Sequence, residues 1–249
     1  MPILETRNLT HIFPNGTVAI KGVNFSVREG EFVVIAGANG SGKTVFLRHL
    51  NGLLKPTEGT VLLDGKPIFD DIIKARKKIG LIFQDSSSQI VGQTVAEDVA
   101  FGPENLNLPA EEVIGIVKAA LESVGLGSYA GCDPHLLSGG MKRKLAIAGV
   151  LAMNPSIILF DEPFTGLDYP GVLQVLTEIV RLHGIGHTII LITHEPEIVL
   201  AHANRLAIFY GGGLVEDGPP LDVLRRAAQY GVRAPSGEIE GVEFMTWLK

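Results

Sequence analysis

Phe32-Val33-Val34-Ile35-Ala36 runs directly into Gly37-Ala38-Asn39-Gly40-Ser41-Gly42-Lys43-Thr44. The first five residues are continuously apolar, as a strand buried on both faces requires. The next eight fit G-x-x-x-x-G-K-[ST], and residues 43–54 carry apolar side chains at helical spacing ahead of Pro56. Strand, glycine-rich loop and helix in that order make an anion cradle. Glycine lets successive N–H groups turn inward, and the helix adds the positive end of its dipole. Asn39, Gly40, Ser41 and Gly42 line the curve and Lys43 is placed to reach terminal phosphates, while Thr44 offers a hydroxyl to Mg2+. The plainer alternative is a glycine-rich turn that merely matches the pattern; the flanking strand and helix argue against it.

Upstream of this stretch, short alternating segments at residues 4–9, 18–20 and 23–27 are broken by Pro14-Asn15-Gly16, which predicts an antiparallel start. Downstream, residues 60–63 and 79–83 read as strands. Helices are expected over residues 111–124 and 139–153, the second capped by Ser138, within a helical block of about residues 88–152. Alternation then resumes: strand 157–160, helix 170–182, strand 188–192, helix 196–202, strand 205–210 and a short helix 221–228. Such βαβ alternation predicts an α/β fold with a mainly parallel sheet. Residues 1–225 are expected to form one domain and residues 226–249 a short tail, in which Phe244 and Trp247 read as packing residues.

Several polar residues fall where expected strands end. Asp161 and Glu162 close the apolar run 157–160, the first suited to Mg2+ and the second to orienting or deprotonating a water. Gln84 and His194 end two other strands, at the edge where open α/β sheets bind ligands. Ser138-Gly139-Gly140 opens a helix with bare N–H groups and a hydroxyl, a second anion-binding end. Each has a plainer reading alone: Glu162 as a charged strand terminus, Ser138 and Asp168 as helix caps, Gln84 and His194 as loop-entry residues. Their order along one chain is what favours a nucleotide site, the second end closing over nucleotide held by another copy.

Composition narrows the classes. With 249 residues, the chain can bury a core without disulfides, and the single Cys132 fits a reducing compartment. A net charge of −6, without a long basic stripe, argues against a nucleic-acid binder. The start Met1-Pro2-Ile3-Leu4-Glu5 lacks a signal-peptide layout, and apolar runs such as 33–36 and 189–192 fall far short of the ~20 residues that span a bilayer. The chain is expected to be soluble by itself, with any membrane work done through a partner. The triplet Lys142-Arg143-Lys144 reads as solvated helix surface.

Over about residues 3–225 the chain resembles the nucleotide-binding subunits of ABC transporters. The resemblance implies a P-loop NTPase core with an N-terminal antiparallel β subdomain and a helical subdomain. It places Phe13 as the aromatic that stacks on adenine and residues 37–44 as Walker A. Gln84 becomes the Q-loop residue, serving both the metal and catalysis, and residues 137–141 the signature. Asp161 takes the Walker B position, Glu162 the catalytic carboxylate, Asp168 the D-loop and His194 the switch histidine. ATP and Mg2+ are the implied cofactors. Two subunits, the second a copy or a paralogue, would sandwich two ATP molecules head to tail at the cytoplasmic face of a membrane.

A narrower resemblance is to energy-coupling-factor ATPases of cobalt, nickel and vitamin uptake. It rests on Phe83-Gln84-Asp85, Gln89, Thr94-Val95-Ala96-Glu97-Asp98-Val99-Ala100-Phe101-Gly102-Pro103, and Asn105-Leu106 with Leu108-Pro109. It implies a transmembrane coupling subunit, whose coupling helix docks just after Gln84, and a solute-binding membrane subunit. Cobalt or nickel is the expected solute, with biotin or another vitamin as the alternative. Two departures stand out: Met141 replaces the usual signature glutamine, and Asp85-Ser86-Ser87-Ser88-Gln89 replaces a Pro-Asp-Asp-Gln type of segment. A soluble ABC mechanoenzyme is disfavoured because 249 residues leave no room for a coiled-coil insertion or second ATPase domain. A nucleotide sensor without turnover is disfavoured by Glu162 and His194.

Overall fold

A computed structural model describes residues 1–233 and 247–248. The expected residue Phe244 lies outside them. Strands β1 (Leu4–Ile12) and β2 (Val18–Val27) form an antiparallel pair across the Pro14-Asn15-Gly16 turn. Register shifts along the pair bend it, so the two downstream segments expected from alternation are one strand. Strand β3 (Phe32–Ala36) is fully buried and feeds helix α1 (Lys43–Leu50). That helix stops four residues short of the expected end at residue 54. Gly52 turns left-handed at φ +70, and the N–H groups of Leu53 and Leu54 both bond the Arg48 carbonyl, closing the helix. Strands β4 (Glu58–Leu63) and β5 (Lys66–Pro67) return to the first pair, giving a four-stranded antiparallel sheet ordered β2-β1-β4-β5.

Helix α2 (Ile72–Lys78) leads to strand β6 (Ile79–Ile82). Three helices follow before the next strand: α3 (Val95–Asn105), α4 (Ala110–Ser123) and α5 (Gly139–Leu151). Helix α3 was not among the expected elements, because Gly102 and Pro103 obscure its pattern. Its start was nonetheless written in Thr94-Val95-Ala96-Glu97: the Thr94 hydroxyl accepts from the Glu97 N–H, and the Glu97 carboxylate accepts from the Thr94 N–H. Strand β7 (Ile157–Asp161), helix α6 (Tyr169–Gly184), strand β8 (Thr188–Thr193) and strand β9 (Arg205–Tyr210) continue the alternation. The helix expected over 196–202 is instead two single 3-10 turns, Pro196–Ile198 and Leu200–His202. Val199 between them sits at φ −125 and interrupts any helical path. Strand β10 (Gly213–Gly218), absent from the sequence reading, and helix α7 (Pro220–Ala227) complete the described elements.

The second sheet runs β10-β9-β3-β8-β7-β6, parallel except for the β10–β9 hairpin. Its residues alternate between two cores. Phe32, Val34 and Phe160 face α3 to α6, while Val33, Ile35 and Leu159 face α1 and the antiparallel sheet. Burying each Val, Ile or Phe contributes about 1.5–3 kcal/mol, so every residue of β3 is committed and its register is fixed. That register determines the site. Ala36 pairs with Thr193, Asp161 with Ile192, and Ile82 with Phe160. The carboxyl ends of β3, β8, β7 and β6 therefore stop level, and the loops they feed share one edge.

At the end of the described chain Trp247 packs against the helical core, its ring centroid 5.8 Å from that of Tyr169. The expectation for residues 142–144 is corrected by the fold. Lys142 and Lys144 are half-buried, and Arg143 is buried with only 4% exposure. Arg143 lies three and four residues before the buried Ala146 and Ile147, on the inward face of α5.

Candidate functional site

The loop after β3 folds as its glycines dictate. Gly42 caps α1 at φ +101, and a Cβ there would sit well inside van der Waals contact of the Ala19 carbonyl. A Cβ at Gly37 would strike the Phe209 carbonyl in the same way. Lys43 is buried, and its Nζ donates to the carbonyls of Gly37 (2.6 Å) and Ala38 (3.0 Å). Burial pulls the ammonium pKa below its usual value, against the opposing pull of Glu162 and Asp161.

Beside it, the Thr44 hydroxyl donates to Asp161 Oδ1 at 3.1 Å. Asp161 is 3% exposed. Burial raises its pKa, the Thr44 hydrogen bond opposes that, Glu162 raises it further, and Arg48 and Lys43 lower it. A buried carboxylate whose ionisation is disfavoured, next to a hydroxyl, is an oxygen donor set suited to a hard divalent cation.

Glu162 takes a left-handed backbone at φ +48, uncommon for a residue with a side chain. Its N–H is held by the Ile192 carbonyl at 3.0 Å. Its Oε2 accepts from the His194 backbone N–H (3.3 Å) and lies 2.8 Å from His194 Nδ1. That contact assigns the proton to Nδ1 and leaves Nε2 on the outer side of the ring. Strain of this kind is held only where surrounding contacts enforce it, here the strand end and the histidine.

These residues border a cavity of about 580 Å3, lined by Phe13, residues 39–44, Gln84, Glu162, Thr165 and His194 among others. Phe13 stands at its mouth, ring edge-on to His11 with centroids 4.8 Å apart. A second cavity of about 500 Å3 shares Thr44 and Gln84 with the first and adds Arg48, Asp85 and Asp161. A larger groove, about 830 Å3, lies between α3 and α4 and contains none of the expected site residues.

Ser138, Gly139, Gly140 and Asp168 line neither of the two site cavities. The Ser138 hydroxyl accepts from the Met141 N–H at 3.3 Å and the Asp168 carboxylate from the Gly171 N–H at 3.0 Å, so each caps its own helix. The two caps adjoin: Gly139 approaches Leu167, and Gly140 approaches Gly171. One chain thus carries a phosphate-loop group and, separately, an exposed pair of helix starts.

Two further residues bear on the site, one to which the sequence pattern assigns no role and one that it reads as surface. The Thr165 hydroxyl is buried in the cavity wall with no partner among the described residues, and only its place three residues after Glu162 hinted at a role. Arg143 Nη1 donates to the Phe83 carbonyl at 2.6 Å, immediately before Gln84. Its inward helical spacing was the missed signal.

A P-loop between a buried strand and a helix, with acidic residues at the end of β7, one strand removed across β8, defines a nucleotide-hydrolysing P-loop ATPase. Residues 20–165 match the family model described as ABC transporter. The chain belongs to the ATP-binding subunits of ABC transporters. It is 45% identical over 226 residues to the energy-coupling factor transporter ATP-binding protein EcfA of Methanocaldococcus jannaschii, covering 90% of this chain and 81% of that protein. The EcfA of Methanothermobacter thermautotrophicus is 43% identical, with 90% and 73% covered. Among solved structures it resembles cbiO1 from Clostridium perfringens, described as part of the ABC transporter complex cbiONQ. There the TM-score is 0.81 and the identity 36%, with 92% of this chain and 95% of that one covered. It also resembles the ATP-binding cassette MJ0796 in a dimeric post-hydrolysis state bound to ADP and Pi, with TM-score 0.78, identity 30%, and 87% and 98% covered. The chain is a transport-coupled ATPase.

Proposed function

We propose that this chain is the ATP-hydrolysing subunit of an energy-coupling-factor importer, working at the cytoplasmic face of the membrane as a head-to-tail pair. Each ATP lies between one copy's phosphate loop and the other's Ser138-Gly139-Gly140. The observation that carries this reading is the Glu162–His194 contact at 2.8 Å in the wall of the cavity that also holds Lys43 and Thr44. One Glu162 oxygen is taken by His194, and the other is the acceptor that orients a water and draws its proton. Lys43 swings from its own carbonyls to the β- and γ-phosphates, and the N–H groups of residues 39–44 cradle them. Thr44, Asp161 and Gln84 would hold Mg2+, which neutralises charge on the phosphate oxygens when bound. Phe13 stacks on the adenine.

The pair supports the reading because the exposed signature end lies outside the site cavities of its own chain. No helix among the described residues is long and apolar enough to cross a membrane. A groove beside the Gln84 segment, with the exposed apolar side chains of Leu53, Val91 and Phe101 in its lining, receives the coupling helix of the transmembrane subunit. Cobalt or nickel is the solute favoured by the resemblance to energy-coupling-factor ATPases, the choice itself lying with the other subunits; biotin or another vitamin would leave the ATPase role unchanged. The test of the assigned chemistry is Glu162→Gln. Loss of Mg-ATP turnover with ATP binding retained supports it, and retained turnover overturns it.

A further inference from the structure

Phe83 is gripped from both sides by side chains. Its N–H donates to Gln89 Oε1 at 2.8 Å, and Gln89 Nε2 donates onward to the Leu81 carbonyl at 3.1 Å. Its carbonyl accepts from Arg143 Nη1 at 2.6 Å. Gln89 belongs to the turn that follows Gln84, so its hold is local. Arg143 reaches across from α5, the helix that Ser138, Gly139 and Gly140 open, 60 residues away in sequence.

The guanidinium is an expensive group to keep there. It is buried, its Nε has no partner among the described residues, and burial lowers its pKa while Asp85 and Asp161 raise it. Taking a cation out of water costs free energy that one direct hydrogen bond offsets only in part, and removing its partners or the cation itself disturbs whatever the bond holds. Among the described residues its one direct bond is to the Phe83 carbonyl, immediately before Gln84, the residue lining both site cavities.

We infer that Arg143 is a positioning residue that ties the signature helix to the Gln84 segment, so that movement of Ser138-Gly139-Gly140 shifts Gln84 in the same chain's nucleotide site. This rests on the paired reading above for its meaning across two subunits: ATP contacted by one copy's signature sets the Gln84 of that copy's own site. The bond itself lies within one chain, so its effect on Gln84 is testable without the pair.

The experiment is a double-mutant cycle on the full chain, measuring Mg-ATP hydrolysis against ATP concentration for Arg143→Ala, Gln84→Ala and the two together. If Arg143 acts through Gln84, Arg143→Ala lowers kcat by ~10-fold with KM for ATP within ~2-fold, and adds under ~3-fold to the loss in Gln84→Ala. Arg143→Lys, which keeps a cationic donor for the Phe83 carbonyl, recovers most of the turnover. Lys142→Ala and Lys144→Ala leave it unchanged. Losses that multiply in the double variant, or an unchanged kcat in Arg143→Ala, overturn the inference. Where Arg143→Ala does not fold, Arg143→Gln takes its place in the cycle and the same criteria apply. The paired reading fails separately, on the mass of the ATP-bound protein, and its failure leaves the outcome of the cycle standing.

Discussion

His194 Nδ1 lies 2.8 Å from Glu162 Oε2, joining the carboxyl ends of two hydrogen-bonded parallel strands. The same carboxylate oxygen takes the His194 backbone N–H, so the histidine fixes the direction of the acid with both its main chain and its ring. Glu162→Gln keeps the shape and removes the proposed base. It is expected to lower kcat at least ~100-fold with ATP affinity within ~3-fold. His194→Ala frees the carboxylate to rotate and should cost ~10–100-fold in kcat. Steady-state hydrolysis with parallel nucleotide-binding titrations checks both.

Asp161 should make the nucleotide-free protein less stable than it would be with a neutral side chain. Its folded pKa is raised, chiefly by burial, above the ordinary value of 3.8. The folded state therefore binds this proton more tightly than the unfolded chain does. Stability from the group is fully present below the unfolded pKa and is lost as pH rises through the folded one. Asp161→Asn is accordingly expected to raise Tm at pH 7, with the gain vanishing below about pH 4, where the aspartate is protonated in both states. Thermal melts of both proteins across that window decide it; in Mg-ATP the order should reverse, because the variant loses the proposed cation ligand.

Phe13 is 36% exposed and supported on one side by His11, which suits a platform for a flat base. Aromatic pairs contribute about 0.5–1.5 kcal/mol beyond area burial, so Phe13→Ala should raise KM for ATP by ~3–10-fold at unchanged kcat. Phe13→Tyr should keep the wild-type KM. A fall in kcat with unchanged KM would instead place Phe13 away from the base.

Helix α3 begins at the reciprocal Thr94–Glu97 cap. Thr94→Ala is expected to lower unfolding free energy by about 1 kcal/mol, measured by urea denaturation. Glu97→Ala should cost a comparable amount, because its carboxylate accepts from the N–H groups of both Gln93 and Thr94, and the double variant should fall short of the sum.

The sequence made legible whatever depends on local pattern. The run from Phe32 to Thr44 announces a buried strand and a phosphate loop by residue type alone. The polar residues Gln84, Asp161, Glu162 and His194 follow strands whose apolar character is equally plain. Their meeting at one edge comes from parallel register, which repeated βαβ alternation implies. What escaped detection depends on tertiary contact. Lys142-Arg143-Lys144 reads as a charged surface until α5 packs on the Gln84 segment and turns Arg143 inward. Strand β10 has four glycine or acidic positions in six and forms because β9 offers an edge. The turns at 196–202 have helical composition, yet Val199 takes a conformation no composition rule reports.

In the proposed pair, ATP joins two copies through the Ser138-Gly139-Gly140 end of each. Sedimentation of the Glu162→Gln protein, with ATP held uncleaved, measures this directly. Without nucleotide the protein should sediment near its chain mass of 26.6 kDa, and with Mg-ATP at twice that mass. Adding Ser138→Arg should return it to the single mass with ATP still bound. A protein that stays at 26.6 kDa in saturating Mg-ATP, or doubles regardless of Ser138→Arg, would contradict the claim.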